Sequence, residues 1–276
     1  MARYALLLLL MISASASAIV IRDDIKDADY RLAASEVPAL ADMPGEGHGV
    51  LIAPQWVVTA AHVLPEHSGV SDISIGGICR KVEKLFVHPG FKKLPQDLID
   101  PALRSGDATA VIAHLASSDD IALIKLVEPV TDIAPLKIHR GKMLGKTIRI
   151  VGKGATGTGS EGIDPHASHR TELRHAFNKI ASADGRWLSY RFDPPATALP
   201  LEGMSGSGDS GGPLLVAAGK RWQVVGLTAW TRGDDNAIIR RPGLYGHSGY
   251  AVRLAHYRDW IEATMATDTK VAATGP

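Results

Sequence analysis

Three short motifs contain residue types that can perform nucleophilic chemistry. Ser210 stands in Gly208-Asp209-Ser210-Gly211-Gly212-Pro213, His62 in Thr59-Ala60-Ala61-His62, and Asp120 in Asp120-Ile121-Ala122-Leu123. A serine hydroxyl is a poor nucleophile at neutral pH. It needs an imidazole to take its proton and a carboxylate to hold that imidazole in the right tautomer. Glycines around the serine let the chain turn tightly and leave backbone N–H groups free for a developing oxyanion. Taken singly, the serine reads as a turn, the histidine as a packed side chain and the aspartate as a strand cap. Their conjunction, in the order His, Asp, Ser, points to covalent catalysis.

The elements that must position these residues read as short strands. Val50–Ile52, Trp56–Thr59, Ile73–Ile75, Lys81–Val87, Ile121–Leu126, Ile148–Val151, Leu214–Ala217 and Gln223–Ala229 are apolar or β-branched runs broken by Gly, Pro, Asp and Ser. Many such strands predict an all-β barrel or sandwich. Tyr257, Trp260 and Ile261 fall at helical spacing and predict a C-terminal helix. Lys92–Ser118 reads as an insertion with a short helix within Asp107–Leu115. Gly154–Ser168, rich in Gly, Thr and Ser, reads as a mobile loop. His166 and His169 lack acids at ligand spacing, so no metal site is read there or elsewhere.

Composition narrows the class. The 276 residues carry a net charge of +1, with 21% charged and 45% hydrophobic residues. That balance fits a soluble globular protein and gives no electrostatic case for a nucleic-acid partner or an anionic membrane. Arg3, the apolar run Leu6–Ile12 and the small residues Ala14, Ala16 and Ala18 read as a secretory signal over residues 1–18. No later stretch is long and apolar enough for an integral membrane segment. Cys79 is the single cysteine, so no intrachain disulfide can form. It reads as a buried small hydrophobe rather than a reactive thiol.

The three motifs, in order and spacing, resemble the chymotrypsin/trypsin family of serine endopeptidases. The resemblance runs from about Ile19 to Ile261. It implies two six-stranded antiparallel barrels with a C-terminal helix and a cleft between the barrels. The corresponding organisation is a signal peptide over 1–18, an N-terminal barrel over 19–135, a C-terminal barrel with terminal helix over 136–266, and a disordered tail over 267–276. His62, Asp120 and Ser210 match the catalytic residues, with Asp120 rather than Asp119 as the acid. Gly208 and Ser210 match the oxyanion-hole donors. Asp209 matches the acid that receives a buried amino terminus, and Ile19-Val20, directly after Ala16-Ser17-Ala18, matches that terminus.

The resemblance also implies polypeptide substrates and no metal or organic cofactor. His48 and Val63 stand where many relatives carry a disulfide, so the chain resembles a disulfide-free bacterial form, secreted or periplasmic. Met204, with Ser205 beside it, matches the base of the primary specificity pocket. Ala229, Trp230 and Thr231 match the segment that pairs with substrate backbone, and Gly249 (Gly243 is the other candidate) matches the opposite wall. Met204 is not acidic, so the expected preference is for a small or medium apolar side chain rather than Arg or Lys.

Two other readings use the same serine. Gly208-Asp209-Ser210-Gly211-Gly212 also satisfies the Gly-x-Ser-x-Gly elbow of an α/β-hydrolase esterase. That fold needs Asp and then His after the serine, and only His247 and His256 follow, without alternating strands and helices upstream. A non-catalytic binding protein on the same fold would normally lack one of the three residues, and here all three are present.

Overall fold

The computed structural model describes residues 19–65, 69–164, 166, 172–236 and 241–273, with side chains through 268. Residues 1–18, where the signal segment is read, lie outside them, as does His169. Among the described residues, two closed six-stranded antiparallel barrels form. The first joins Leu40–Asp42, His48–Ala53, Trp56–Thr59, Ala122–Leu126, Ile78–Val87 and Asp72–Ile75 in that spatial order. The second joins Arg174–Asp184, Trp187–Arg191, Ser248–Arg253, Arg221–Arg232, Pro213–Ala218 and Thr147–Gly152. All eight strands read from the sequence lie in these barrels.

Burial explains why the central strands read so clearly. Every residue of Ala122–Leu126 is buried. Ile124 and Leu126 fill the first barrel, whereas Ile121 and Leu123 face a second apolar cluster shared with Val151, Leu215, Val224 and Leu227 of the other barrel. A strand covered on both faces is largely apolar, and its one charge, Lys125, is paired with Glu83 and Asp268. Trp56–Thr59 divides in the same way, with Val57 inside the barrel and Trp56 and Val58 in the shared cluster. The barrels are therefore joined by a continuous hydrophobic interface, and the strands that carry the site form its walls.

The crossover reaches the second barrel through Ile138, which bridges to Val224. Three parts of the chain differ from the sequence reading. Ile19–Ile21, placed with the first barrel by chain position, is wholly buried on the second barrel. It pairs in parallel with Thr156–Thr158 and antiparallel with Gly203–Met204. Thr156–Thr158 and Gly162–Ile163 also pair, so much of the stretch read as a mobile loop is a small sheet. Its polar composition hid the strands because their order comes from long-range partners.

The terminal helix spans Arg258–Ala273, and so continues through residues assigned to the disordered tail. Asp268 anchors it to Lys125 of the first barrel at 2.5 Å. The insertion holds two helices, Gln96–Ser105 and Thr109–Ser117, where one was expected. Cys79 is exposed rather than buried, because it sits on the outward face of the hairpin opposite Ser74.

His175, in the strand Arg174–Asp184, is buried and edge-on to Phe177. Burial pushes its imidazole down to about 4, and the Arg149 charge adds to the effect. The folded state therefore holds His175 neutral, while the unfolded chain takes up a proton near pH 6.5. Its contribution to stability is present above pH 6.5 and is lost as pH falls towards 4. Thermal melts should show a larger loss of Tm between pH 7 and 4.5 for the wild type than for His175→Phe, which cannot protonate. Equal losses would remove His175 as an acid-sensitive group.

Candidate active site

Strand pairing brings the first two residues together. Thr59 pairs with Ala122, which places the turn Ala61–Val63 beside the entrance to the strand Ala122–Leu126. Asp120 Oδ2 lies 2.7 Å from His62 Nδ1, and Asp120 Oδ1 accepts the His62 backbone N–H at 2.9 Å. This double grip fixes both the ring and its main chain. It sets the Nδ1–H tautomer and leaves Nε2 as the free acceptor. Asp120 is buried, while the His62 side chain is 37% exposed and opens to the cleft.

Asp119 points elsewhere. Its Oδ1 accepts Arg186 Nε at 2.8 Å and the Tyr257 hydroxyl at 2.9 Å, and its Oδ2 lies 3.6 Å from His88 Nδ1. Burial raises its carboxyl, but Tyr257 and Arg186 outweigh that and hold it below the usual carboxylate range. The two adjacent acids thus divide their work: Asp120 grips His62, and Asp119 ties the first barrel to the second and to the start of the terminal helix.

The loop that carries Ser210 is held by its main chain. The Ser210 carbonyl accepts the His48 N–H at 2.7 Å, Gly211 N–H donates to Thr228 O at 2.8 Å, and Gly212 N–H donates to Asp209 O at 2.9 Å. Among the described residues, the N–H groups of Gly208 and Ser210 have no intramolecular acceptor. Gly208 has φ 87°, a backbone conformation that only glycine adopts without strain. Two free donors on one tight turn are the arrangement an oxyanion requires.

Asp209 is completely buried beneath this loop. Its Oδ1 accepts Gly154 N–H at 2.7 Å, its Oδ2 accepts Gly206 N–H at 2.7 Å, and the Ile19 backbone N–H also donates to it. Burial drives its carboxyl up, and His48 and these three N–H groups offset that only in part, so it stays above the usual carboxylate range. A Cβ on Gly152 would collide with this carboxylate, which accounts for the glycine at the end of that strand.

A further polar cluster was not found from the sequence. His48 is buried, with Nδ1 3.1 Å from Asp42 Oδ1 and Nε2 accepting Lys153 N–H at 3.2 Å. Lys153 Nζ closes the cluster on Asp42 Oδ2 at 2.8 Å. Burial raises the Asp42 carboxyl, but His48 and Lys153 together pull it down to about 2. Asp42 and His48 belong to the first barrel and Lys153 to the second, so this is another tie across the interface. No motif signals it, because the three residues come from separate loops and strands.

Two cavities flank the segment Ala229-Trp230. One of about 320 Å³ is lined by His62, Asp120, Trp187 and residues of the insertion, including Phe91, Leu94 and Leu115. The other, of about 180 Å³, contains Ser210, Ser205 and Thr228 to Thr231, closed by Ile163 and Pro242. Met204 lines neither. It is fully buried, pairs with Val20 and belongs to the apolar core, so Ser205 supplies the pocket surface instead. Gly249 packs against the Tyr190 ring and does not line the cavity. Ile163, Pro242 and Thr228 carry no sequence signal for a pocket.

Asp119→Asn should lower stability by about 1–3 kcal/mol, because it weakens the bonds to Arg186 and Tyr257 in a largely buried setting. Thermal denaturation of this variant beside Arg186→Met checks the assignment. The two substitutions together should cost less than the sum of their separate effects, and strict additivity would refute the shared tie.

Over 230 residues, the chain is 26% identical to mouse transmembrane protease serine 11G, covering 77% of this chain and 48% of the relative. Over 231 residues, it is 29% identical to human kallikrein-11, covering 78% of this chain and 70% of the relative. The chain thus spans about half the length of the mouse protein. The Trypsin family model matches residues 33–261, a span that includes both barrels, His62, Asp120 and Ser210. With most of the sequence matched and the double-barrel architecture in place, the chain belongs to the Trypsin family.

Proposed function

We propose that the protein is a serine endopeptidase that hydrolyses peptide bonds through an acyl-enzyme. The observation that carries this reading is the double grip of Asp120 on His62, with Nδ1 at 2.7 Å, in a cavity that meets the one beside Ser210 along Ala229 and Trp230. His62 Nε2 takes the Ser210 proton as Oγ attacks the substrate carbonyl. The Gly208 and Ser210 N–H groups hold the oxyanion, and Asp120 stabilises the imidazolium. His62 then gives its proton to the leaving amine. Water, deprotonated in turn by His62, attacks the ester, releases the acid and restores Ser210. The Ser210 proton leaves with the amine and a proton from water replaces it, so the enzyme is regenerated and no atom changes oxidation state.

The same reading makes Ile19 and Asp209 an activation pair. Ile19 carries φ 68°, an unfavourable value for a β-branched residue, and its N–H meets the Asp209 carboxylate. Cleavage between Ala18 and Ile19 would free that torsion and convert the amide donor into an ammonium, a stronger partner for a buried acid. We propose that removal of the segment 1–18 on export makes this cut. Secretion, or release into a periplasm, rests on Arg3, Leu6–Ile12 and the small residues that follow. A bacterial, disulfide-free form rests on the single cysteine alone, whereas the two relatives compared above are mammalian. No helix among the described residues is long and apolar enough to cross a membrane.

Ser210→Ala, His62→Ala and Asp120→Asn should each reduce kcat by roughly 10⁴-fold or more with Tm little changed. Peptide hydrolysis and labelling by a fluorophosphonate report the outcome. A binding protein would show neither activity in the wild type, and an esterase would label but spare peptides. Amino-terminal sequencing of the exported, active protein should read Ile-Val-Ile. Full activity with any other first residue would exclude the activation pair.

A further inference from the structure

The cavity beside Ser210 contains a polar group without a partner. Thr228 is 5% exposed, and among the described residues its Oγ1 has no hydrogen-bond partner. Buried hydroxyls rarely remain in that condition. The residue cannot drift, because its carbonyl accepts Gly211 N–H and its N–H donates to Gly212 O, both at 2.8 Å. Thr228 is therefore held in a fixed relation to the residue immediately before Gly211, which is Ser210.

A second hydroxyl lines the same cavity. Ser205 Oγ lies 3.1 Å from the Tyr190 hydroxyl, and Tyr190 OH also accepts the Ser205 N–H at 3.4 Å. Burial pushes Tyr190 up to about 12, so this phenol stays neutral. Among the described residues, no lining side chain carries a charge. The cavity volume of about 180 Å³ equals some six waters at about 30 Å³ each, room for a side chain of medium length.

We propose that this pocket selects a carboxamide, so that the residue on the amino side of the scissile bond is glutamine in preference to any apolar or charged residue. The proposal rests on the peptidase reading. A carboxamide offers both an acceptor and donors and can satisfy the Thr228 and Ser205 hydroxyls together. An aliphatic side chain leaves Thr228 unpartnered. A carboxylate would lose its water with no cation in the wall and with Asp209 buried behind the loop, and Lys or Arg would find no counter-charge. The apolar preference expected from Met204 gives way because Met204 lies in the core and two hydroxyls take its place.

Matched peptides that differ only in that residue, as Gln, Glu, Leu, Ala or Lys, test the proposal with wild type, Thr228→Val and Thr228→Ser. Wild type should cleave the Gln peptide with kcat/KM about tenfold or more above Leu, and further above Glu and Lys. Thr228→Val should bring the Gln-to-Leu ratio close to one, and Thr228→Ser should keep it above one. A wild-type preference for Leu, Ala, Glu or Lys would overturn the proposal, as would an unchanged ratio in Thr228→Val. Fluorophosphonate labelling of the wild type separates the two levels. Labelled protein with the wrong preference sinks only the pocket reading, whereas protein that neither labels nor cleaves sinks the peptidase reading with it.

Discussion

The buried carboxylate of Asp209 is the constraint around which the rest of the site is arranged. A wholly buried charge is costly unless donors surround it. Here the donors are backbone N–H groups of Gly154, Gly206 and Ile19, which come from three separate segments. Each donor fixes a piece of chain. Gly206 ties the base of the nucleophile loop, Gly154 the exit from the first strand of the second barrel, and Ile19 the amino-terminal strand. The glycine at 152 leaves room for the carboxylate. The shape of the Gly208–Ser210 turn, and hence its two free donors, follows from satisfying one acid.

The second requirement is to hold His62 and Asp120 against that loop, since they belong to a different barrel. The shared apolar cluster provides the adhesion, and polar ties provide the register. His48 is central to the register, because its backbone N–H holds the Ser210 carbonyl while its ring joins Asp42 to Lys153. Asp119, Arg186 and Tyr257 fasten the far side. Apolar contact alone is non-directional and would permit sliding. These hydrogen-bonded clusters specify one placement, in a chain whose single cysteine allows no intrachain disulfide.

The insertion extends the same logic to the cleft wall. Trp187 of the second barrel donates its indole N–H to Ala116 O at 2.9 Å, which docks the helix Thr109–Ser117 across the barrel boundary. Trp187 also stands edge-on to Trp230, which stacks on Tyr250 at 3.9 Å. The helix, Trp187 and the segment that carries Trp230 therefore form one connected assembly beside His62.

The sequence by itself determined what is local. The Ala-Ala-His, Asp-Ile-Ala-Leu and Gly-Asp-Ser-Gly-Gly motifs exposed His62, Asp120 and Ser210. The largely apolar runs exposed the central strands, because burial on both faces leaves a pattern that one segment carries alone. Tertiary structure decided what depends on partners distant in the chain. Ile19–Ile21 and Thr156–Thr158 became strands only through each other. Asp42, His48 and Lys153 met only because two barrels closed. Counting back six residues from Ser210 named Met204 as the pocket base, but a count cannot give the direction of a side chain. Strand pairing with Val20 turned Met204 into the core and left Ser205 and Thr228 facing the cavity. Spacing along the chain records chemistry within a motif, whereas the lining of a pocket is set by which faces of separate strands the fold turns towards it.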